Sequence, residues 1–328
     1  MSAGKLIKIF GARAKIETTY NTSSSPANTD AILLSELPDL KVGYANDGAR
    51  PMPPGTMGTQ LRAAPSGRTG ETTLKFEPRG AAAAYSASVL PNIHPIMRAC
   101  GFDAVVVTTS GLETVTYTPT PGPTGFASVS ADLFARAQQY SLTGVFGDLT
   151  IGAVGPVVPT VEVAIKGVLA SITDVALTGS LLSYGTLGSI IPPKAINVAF
   201  TVNGVSTLKL KSWQYKLNRA MGVRLNQNAG GHAGWSIGSR GPTFEFEVEN
   251  PALSTIDFHT LRDAGTQFAI ALTLGTVQYN KWGFSTPSTC QILDVSDAAE
   301  DPTATVKVKC QINPSALGSN DDGTFLFN

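Results

Sequence analysis

The sequence predicts an all-β protein with short helices. Three observations carry this. Apolar and polar residues alternate over many short stretches, most cleanly in Thr243–Glu249 (TFEFEVE), the pattern of a strand with one wet face. Glycine (33) and proline (21) are frequent enough to punctuate such strands with turns. Helical periodicity is confined to two short stretches, one in each half of the chain.

The first half opens with strand-like Lys5–Phe10 and Ala14–Tyr20, then an apolar stretch Ala31–Leu37 closed by Pro38. Residues 43–70 hold six Gly and four Pro and have no periodicity. A loop of that length is functional or disordered in most compact domains. It is expected to be an arm that orders against a neighbouring subunit, with Tyr44, Arg50, Arg62 and Arg68 as its contact residues. Leu74 and Phe76 alternate with Lys75 and Glu77 in the next strand. A short helix follows. Asn92 is placed to cap it, Pro95 falls in its first turn, and Ile93, Ile96, Met97 and Cys100 share one apolar face. Gly101 is the expected stop. Strands are then predicted at Leu112–Pro119, at Leu133–Phe134 paired with Tyr140–Val145 as a hairpin, at Asp148–Ala153, and from Val161 to about Ala170.

Gly179–Pro193 breaks the pattern and marks a domain boundary. The expected domains are 1–185, carrying the arm 43–70, and 190–328, a second β-rich unit. In the second, Ala195–Val202 and Thr207–Leu217 flank Asn203-Gly204, a strong hairpin signal. Gly230–Gly234 is a loop. After Thr243–Glu249 comes a helix, with Ser254 as its expected cap, Asp257 at N3, a Leu253–Phe258 staple and Gly265 at its end. Strands follow at Gln267–Leu274, Tyr279–Phe284, Thr289–Val295 and Thr305–Ile312, with a turn at Asp297–Asp301. Each half thus reads as hairpin, alternating strand, short helix and further strands. That is a tandem repeat of pattern with little residue identity.

At 328 residues the chain suits two domains. Its 42% hydrophobic content supplies real cores, while 15% charged residues is low against about 25% for an average globular protein. Surface hidden in subunit contacts is the expected reason. Charge balances in each half, with 13 basic and 13 acidic residues through Gly188 and 11 of each after it. No basic stripe marks a nucleic-acid binder. Cys100, Cys290 and Cys310 are odd in number and far apart, which points to buried thiols in a reducing compartment. The N-terminus lacks a signal-peptide core, and no run reaches the ~20 apolar residues of a membrane span. Synthesis and folding in the cytoplasm are expected.

Little here points to catalysis, and no enzyme is expected. His94, His232 and His259 have no partner at metal-ligand spacing. The Gly230–Gly234 loop lacks the lysine and the context of a phosphate loop. Glu245, Glu247 and Glu249 lie on one strand face, whereas paired catalytic carboxylates converge across a cleft. Asp321-Asp322-Gly323 reads as a turn. No cofactor and no metal are expected.

Several short motifs in the first half, taken together, resemble the tail tube proteins (major tail proteins) of bacteriophages with long non-contractile tails. They are GETTLKF at Gly70–Phe76, PNIHPIMRACGF at Pro91–Phe102, and Tyr117-Thr118-Pro119. QYSLTGVFGDLT at Gln139–Thr150 and TVEVAIKG at Thr160–Gly167 complete them. The likeness covers about residues 70–170. It implies a β-sandwich or barrel with a flanking helix, and subunits in rings stacked into a tube that conducts DNA. It also implies a virion tail location after synthesis in the bacterial host. The implied partners are copies of the chain, a tape measure protein in the lumen, and tail terminator and tail-tip proteins, with transient non-specific passage of double-stranded DNA. If both halves are tube domains, three chains make a pseudo-hexameric ring, which is the favoured expectation. If only the first is, six chains make the ring and the second half decorates its outside. Tail tube families include both arrangements. Glu245, Glu247 and Glu249 are then the candidate lumen face. The rival expectation is a β-rich binding or decoration module of a phage fibre or capsid surface that forms no tube.

Overall fold

A computed structural model of the chain describes residues 10–47, 64–120, 122, 125–176, 181–196, 198–224, 233–300 and 303–328. In chain order the first half forms β1 (Phe10–Ile16), β2 (Ala31–Ile32), β3 (Lys41–Asp47), β4 (Ala64–Phe76) and α1 (His94–Ala99). It continues with β5 (Phe102–Val107), β6 (Thr114–Pro119), β7 (Val129–Ala135), β8 (Gln138–Val154) and β9 (Thr160–Asp174). The second half forms β10 (Ala199–Val202), β11 (Leu210–Lys216), β12 (Met221–Arg224), β13 (Gly234–Ile237), β14 (Thr243–Glu249) and α2 (Phe258–Asp263). It ends with β15 (Gln267–Phe268), β16 (Ile270–Leu274), β17 (Trp282–Ser285), β18 (Cys290–Glu300), β19 (Thr303–Ile312) and β20 (Thr324–Phe327). The fold is all-β with two short helices.

Two antiparallel sheets face each other. The long one has twelve strands, and its main ribbon runs β3-β4-β9-β8-β11-β14-β19-β18. Strands β7, β1 and β2 branch from the first part of β8, and β15 caps the start of β18. The second sheet runs β10-β16-β17-β20-β6-β5. Between them lies one apolar cluster rich in rings. Tyr215 touches Phe284 and Phe325, Phe244 stacks on Phe284, and Trp213 meets Trp282 edge to face. Aromatic side chains bury the most area per residue and prefer such offset or edge contacts.

Both sheets run through the expected boundary at 185–190. In the long sheet β8 pairs with β11. In the other, the C-terminal strand β20 lies between β17 of the second half and β6 of the first. The division therefore falls in a connecting segment, and the stretches on either side share one core.

Several local expectations need correction. The ends of the aperiodic 43–70 stretch are the paired stems of a β-hairpin, with Val42 opposite Gly70 and Tyr44 opposite Arg68. Glycines and Pro65 had hidden the strand period there. Strand β5 went unseen because Val105 and Val107 put apolar residues on its exposed face too, which hides the alternation. Asn92 does not cap α1. Its amide donates to the Glu77 carbonyl at 3.0 Å and accepts from the Arg79 N–H at 2.9 Å, which pins the helix entry to the end of β4. Asp257, not Ser254, caps α2, accepting from the N–H groups of His259 and Thr260 at 3.0 Å each. Leu253 is 70% exposed and makes no staple. A turn at Ala252–Ile256 shifts the start, and the Asp257 carboxylate is the stronger acceptor. Asn203 and Gly204 do adopt the positive φ of a tight turn, at 50° and 79°. The flanking strands then part, β10 to the shorter sheet and β11 to the long one. Asp297 lies within β18, opposite Val306, and not in a turn. Both expected helix stops hold, with φ of +79° at Gly101 and +61° at Gly265.

Candidate functional site

The candidate site is the outward face of the long sheet together with the edges and arms around it. Strand alternation sorts the residues. On β14, Phe244, Phe246 and Val248 are buried in the core, so Glu245, Glu247 and Glu249 share the opposite face. The neighbouring strands place lysines among them. Glu245 has Lys309 at 3.2 Å and Lys216 and Lys307 at 3.9 Å. Glu247 has Lys211 at 3.9 Å and accepts from the Thr305 hydroxyl at 2.8 Å. Glu249 pairs with Lys209 at 2.7 Å.

The same face continues across the seam into the first half. Lys75 pairs with Glu162 at 3.1 Å and with Glu36 at 3.3 Å, and both ion pairs hold its ammonium pKa above the usual lysine range. Lys166 pairs with Glu71 at 3.4 Å. These contacts involve seven lysines and six glutamates. The face is thus a charge checkerboard close to neutral, and the acidic row is one line of it. Sequence reasoning missed the lysines because their partners are set by strand order, which alternation alone does not give.

The ribbon carries one strand order twice. In the first half it is β3-β4-β9-β8, and in the second β11-β14-β19-β18. In each, the helix follows the second strand of the set, and a hairpin in the shorter sheet follows the helix, β5-β6 directly and β16-β17 after the two-residue β15. Both helices have six residues, an arginine fifth (Arg98, Arg262) and the positive-φ glycine three places later. The two sets meet at one antiparallel seam, from Thr150 opposite Lys216 to Val154 opposite Ser212.

Each set also carries an arm between its first two strands. In the first half, Tyr44 and Arg68 are register partners across the stems, and Arg68 is exposed. Arg50 and Arg62 lie outside the described residues. The second arm is the β12–β13 hairpin; of the expected Gly230–Gly234 loop, Gly234 begins β13 opposite Arg224, and residues 230–232 lie outside the described residues. This arm rests on the first half. The Tyr20 hydroxyl meets the backbone N–H and C=O of Trp235 at 2.7 Å each. The Trp235 indole N–H donates to the Gly167 carbonyl at 3.3 Å, and Lys166 lies over its ring at 4.9 Å.

Among the described residues no group of three or more His, Cys, Asp or Glu is placed to hold a metal ion. His94 is largely buried and bonded through Nδ1 to the Tyr117 hydroxyl at 3.0 Å. Burial, with Arg98 nearby, lowers its pKa to about 4. His259 lies 3.9 Å from Asp297 on the surface, and His232 lies outside the described residues. All three cysteines are free and buried. Asp322, expected only as part of a turn, takes a two-pronged ion pair from Arg240 at 2.6 and 2.7 Å. No helix among the described residues is long and apolar enough to cross a membrane. In comparisons with known proteins, no family model and no curated protein matches the chain.

Proposed function

We propose that the chain is a structural subunit of a bacteriophage tail tube, assembling into stacked rings around a conduit for genome delivery. The observation that carries this reading is the strand order used twice in one ribbon, joined by an edge-to-edge seam. We read it as a tube domain in tandem. An open ribbon leaves unpaired edges at both ends, which favour association, and closing it into a ring removes them.

Three copies of the eight-strand ribbon would make a barrel of 24 strands. At about 4.8 Å between strands and roughly 40° tilt, such a barrel is roughly 45–50 Å across at the backbone. With side chains inside, it still admits duplex DNA. The continuous ribbon favours three chains per ring over six, since in the six-chain arrangement the second half would lie outside the tube. The checkerboard face is the proposed lumen. Lysines matched by glutamates neutralise few phosphates, so passing DNA is not held. The arms 43–70 and 217–242 are the proposed ring-to-ring contacts. The tape measure, terminator and tail-tip partners, and the tail location, come with the resemblance in residues 70–170.

Electron microscopy of the purified protein tests the proposal. Hollow tubes whose end-on averages repeat three times are expected. Only compact particles, at high concentration and with a tail-tip extract added as initiator, would favour a fibre or capsid decoration module.

A further inference from the structure

We infer that the open edge of β18 receives segment 34–41 of a second copy, in the register of the β8–β11 seam. The inference rests on the tube reading and specifies how one subunit meets the next. Both edges are open among the described residues. On its outer side β18 is paired only at Cys290 and Gln291, by β15. At the other end of the ribbon β3 pairs only β4, and Ser35, Glu36, Asp39 and Lys41 are exposed.

The internal repeat supplies the register. Phe76 opposite Val161 corresponds to Val248 opposite Val306, and Leu74 opposite Val163 to Phe246 opposite Val308. Leu149 opposite Val163 then corresponds to Val295 opposite Val308. This makes Thr150 the equivalent of Ser296. On the other side, Lys216 opposite Thr243 is the equivalent of Lys41 opposite Glu71. Inside the chain Thr150 lies opposite Lys216. Between chains, Ser296 is therefore placed opposite Lys41, with the Glu300 end of β18 toward Ser35. Segment 35–41 spans seven residues where β11 uses five, Ser212–Lys216, so it carries a bulge between its ends. The occupant is a second copy because the two open edges are the halves of a seam that the chain already makes once. Exposed Asp294, on the same face of β18 as Ser296, gives the contact a charge that matches incoming Lys41.

Cysteine cross-linking of the full chain tests this. The variant S296C/K41C is assembled, oxidised and run without reductant, with S296C and K41C alone as controls and T150C/K216C as a positive control for the same geometry within one chain. Both new positions are exposed and the native thiols are buried, and opposed strand positions fall within disulfide reach. The expected result is a ladder of covalent dimers and trimers in the double variant and none in either single one. Tubes seen by microscopy without the ladder would overturn the inference and leave the tube reading standing. A ladder without tubes would support the edge contact and count against the tube. Neither ladder nor tubes, in a variant with a wild-type circular dichroism spectrum, would overturn both.

Discussion

Tyr215 stands opposite Ile151 across the seam that joins the two halves of the long sheet. Its ring is fully buried against Phe284 and Phe325, and its hydroxyl has no hydrogen-bond partner among the described residues. Burial pushes the phenol pKa up. Tyr215→Phe removes the unpaired oxygen and keeps the ring, so stability is expected to hold or rise by about 1 kcal/mol. Tyr215→Ala opens a cavity at the seam and should cost about 3–5 kcal/mol. Urea unfolding of both variants checks the pair. A large loss in Tyr215→Phe would mean that the hydroxyl has a partner.

Glu17 carries a second structural load. Its buried carboxylate accepts from the Asn21 and Gly144 N–H groups at 2.9 Å each, and from Ser128 and Ser130 hydroxyls at 2.6 and 2.8 Å. These bonds hold the turn after β1 against β7 and β8. Glu17→Ala strands four donors and is expected to cost about 3 kcal/mol or more. Glu17→Gln keeps the shape but presents an NH2 group to donors, so it should recover only part of the loss. Matching denaturation midpoints for Glu17→Ala and wild type would refute this.

A pH dependence follows from His94. Its folded pKa, about 4, lies below the ordinary value of 6.5. Between those values the unfolded chain binds the extra proton, so stability is full above pH 6.5 and falls as pH drops toward 4. The expected loss from this group is about 2 kcal/mol by pH 5. Urea midpoints at pH 7 and 5 give the slope, and His94→Gln should flatten it. An unchanged slope in that variant would assign the dependence to other groups.

The strands that alternate were legible because one face is buried and the other is wet. Phe244, Phe246 and Val248 on β14, and Leu74 and Phe76 on β4, are the clearest. Gly101 and Gly265 marked helix ends because only glycine takes their positive φ easily. What stayed hidden depends on partners distant in sequence. Lys307 and Lys309 reach Glu245 only because β19 lies beside β14. Asn92 left its capping role for the backbone of Glu77 and Arg79, which no local rule foresees. The turn at Asn203-Gly204 was visible, but the sheet that each flanking strand would join was not.

The checkerboard leads to the last prediction. On the proposed lumen face Glu245, Glu247 and Glu249 pair with five lysines, Lys209, Lys211, Lys216, Lys307 and Lys309. Replacing all three glutamates by lysine removes these carboxylates and puts three positive charges in their place. Such a face would exchange condensed counterions on DNA for protein charge, and affinity would fall steeply with added salt. Assembled tubes of E245K/E247K/E249K should therefore retain duplex DNA at low salt and release it at high salt, while wild-type tubes retain little at either. The single variant E249K should have a smaller effect than E245K, because Glu249 pairs with one lysine and Glu245 with three. DNA retention measured across a salt series decides it. Equal retention by wild type and triple variant, with tubes intact, would place this face outside the conduit.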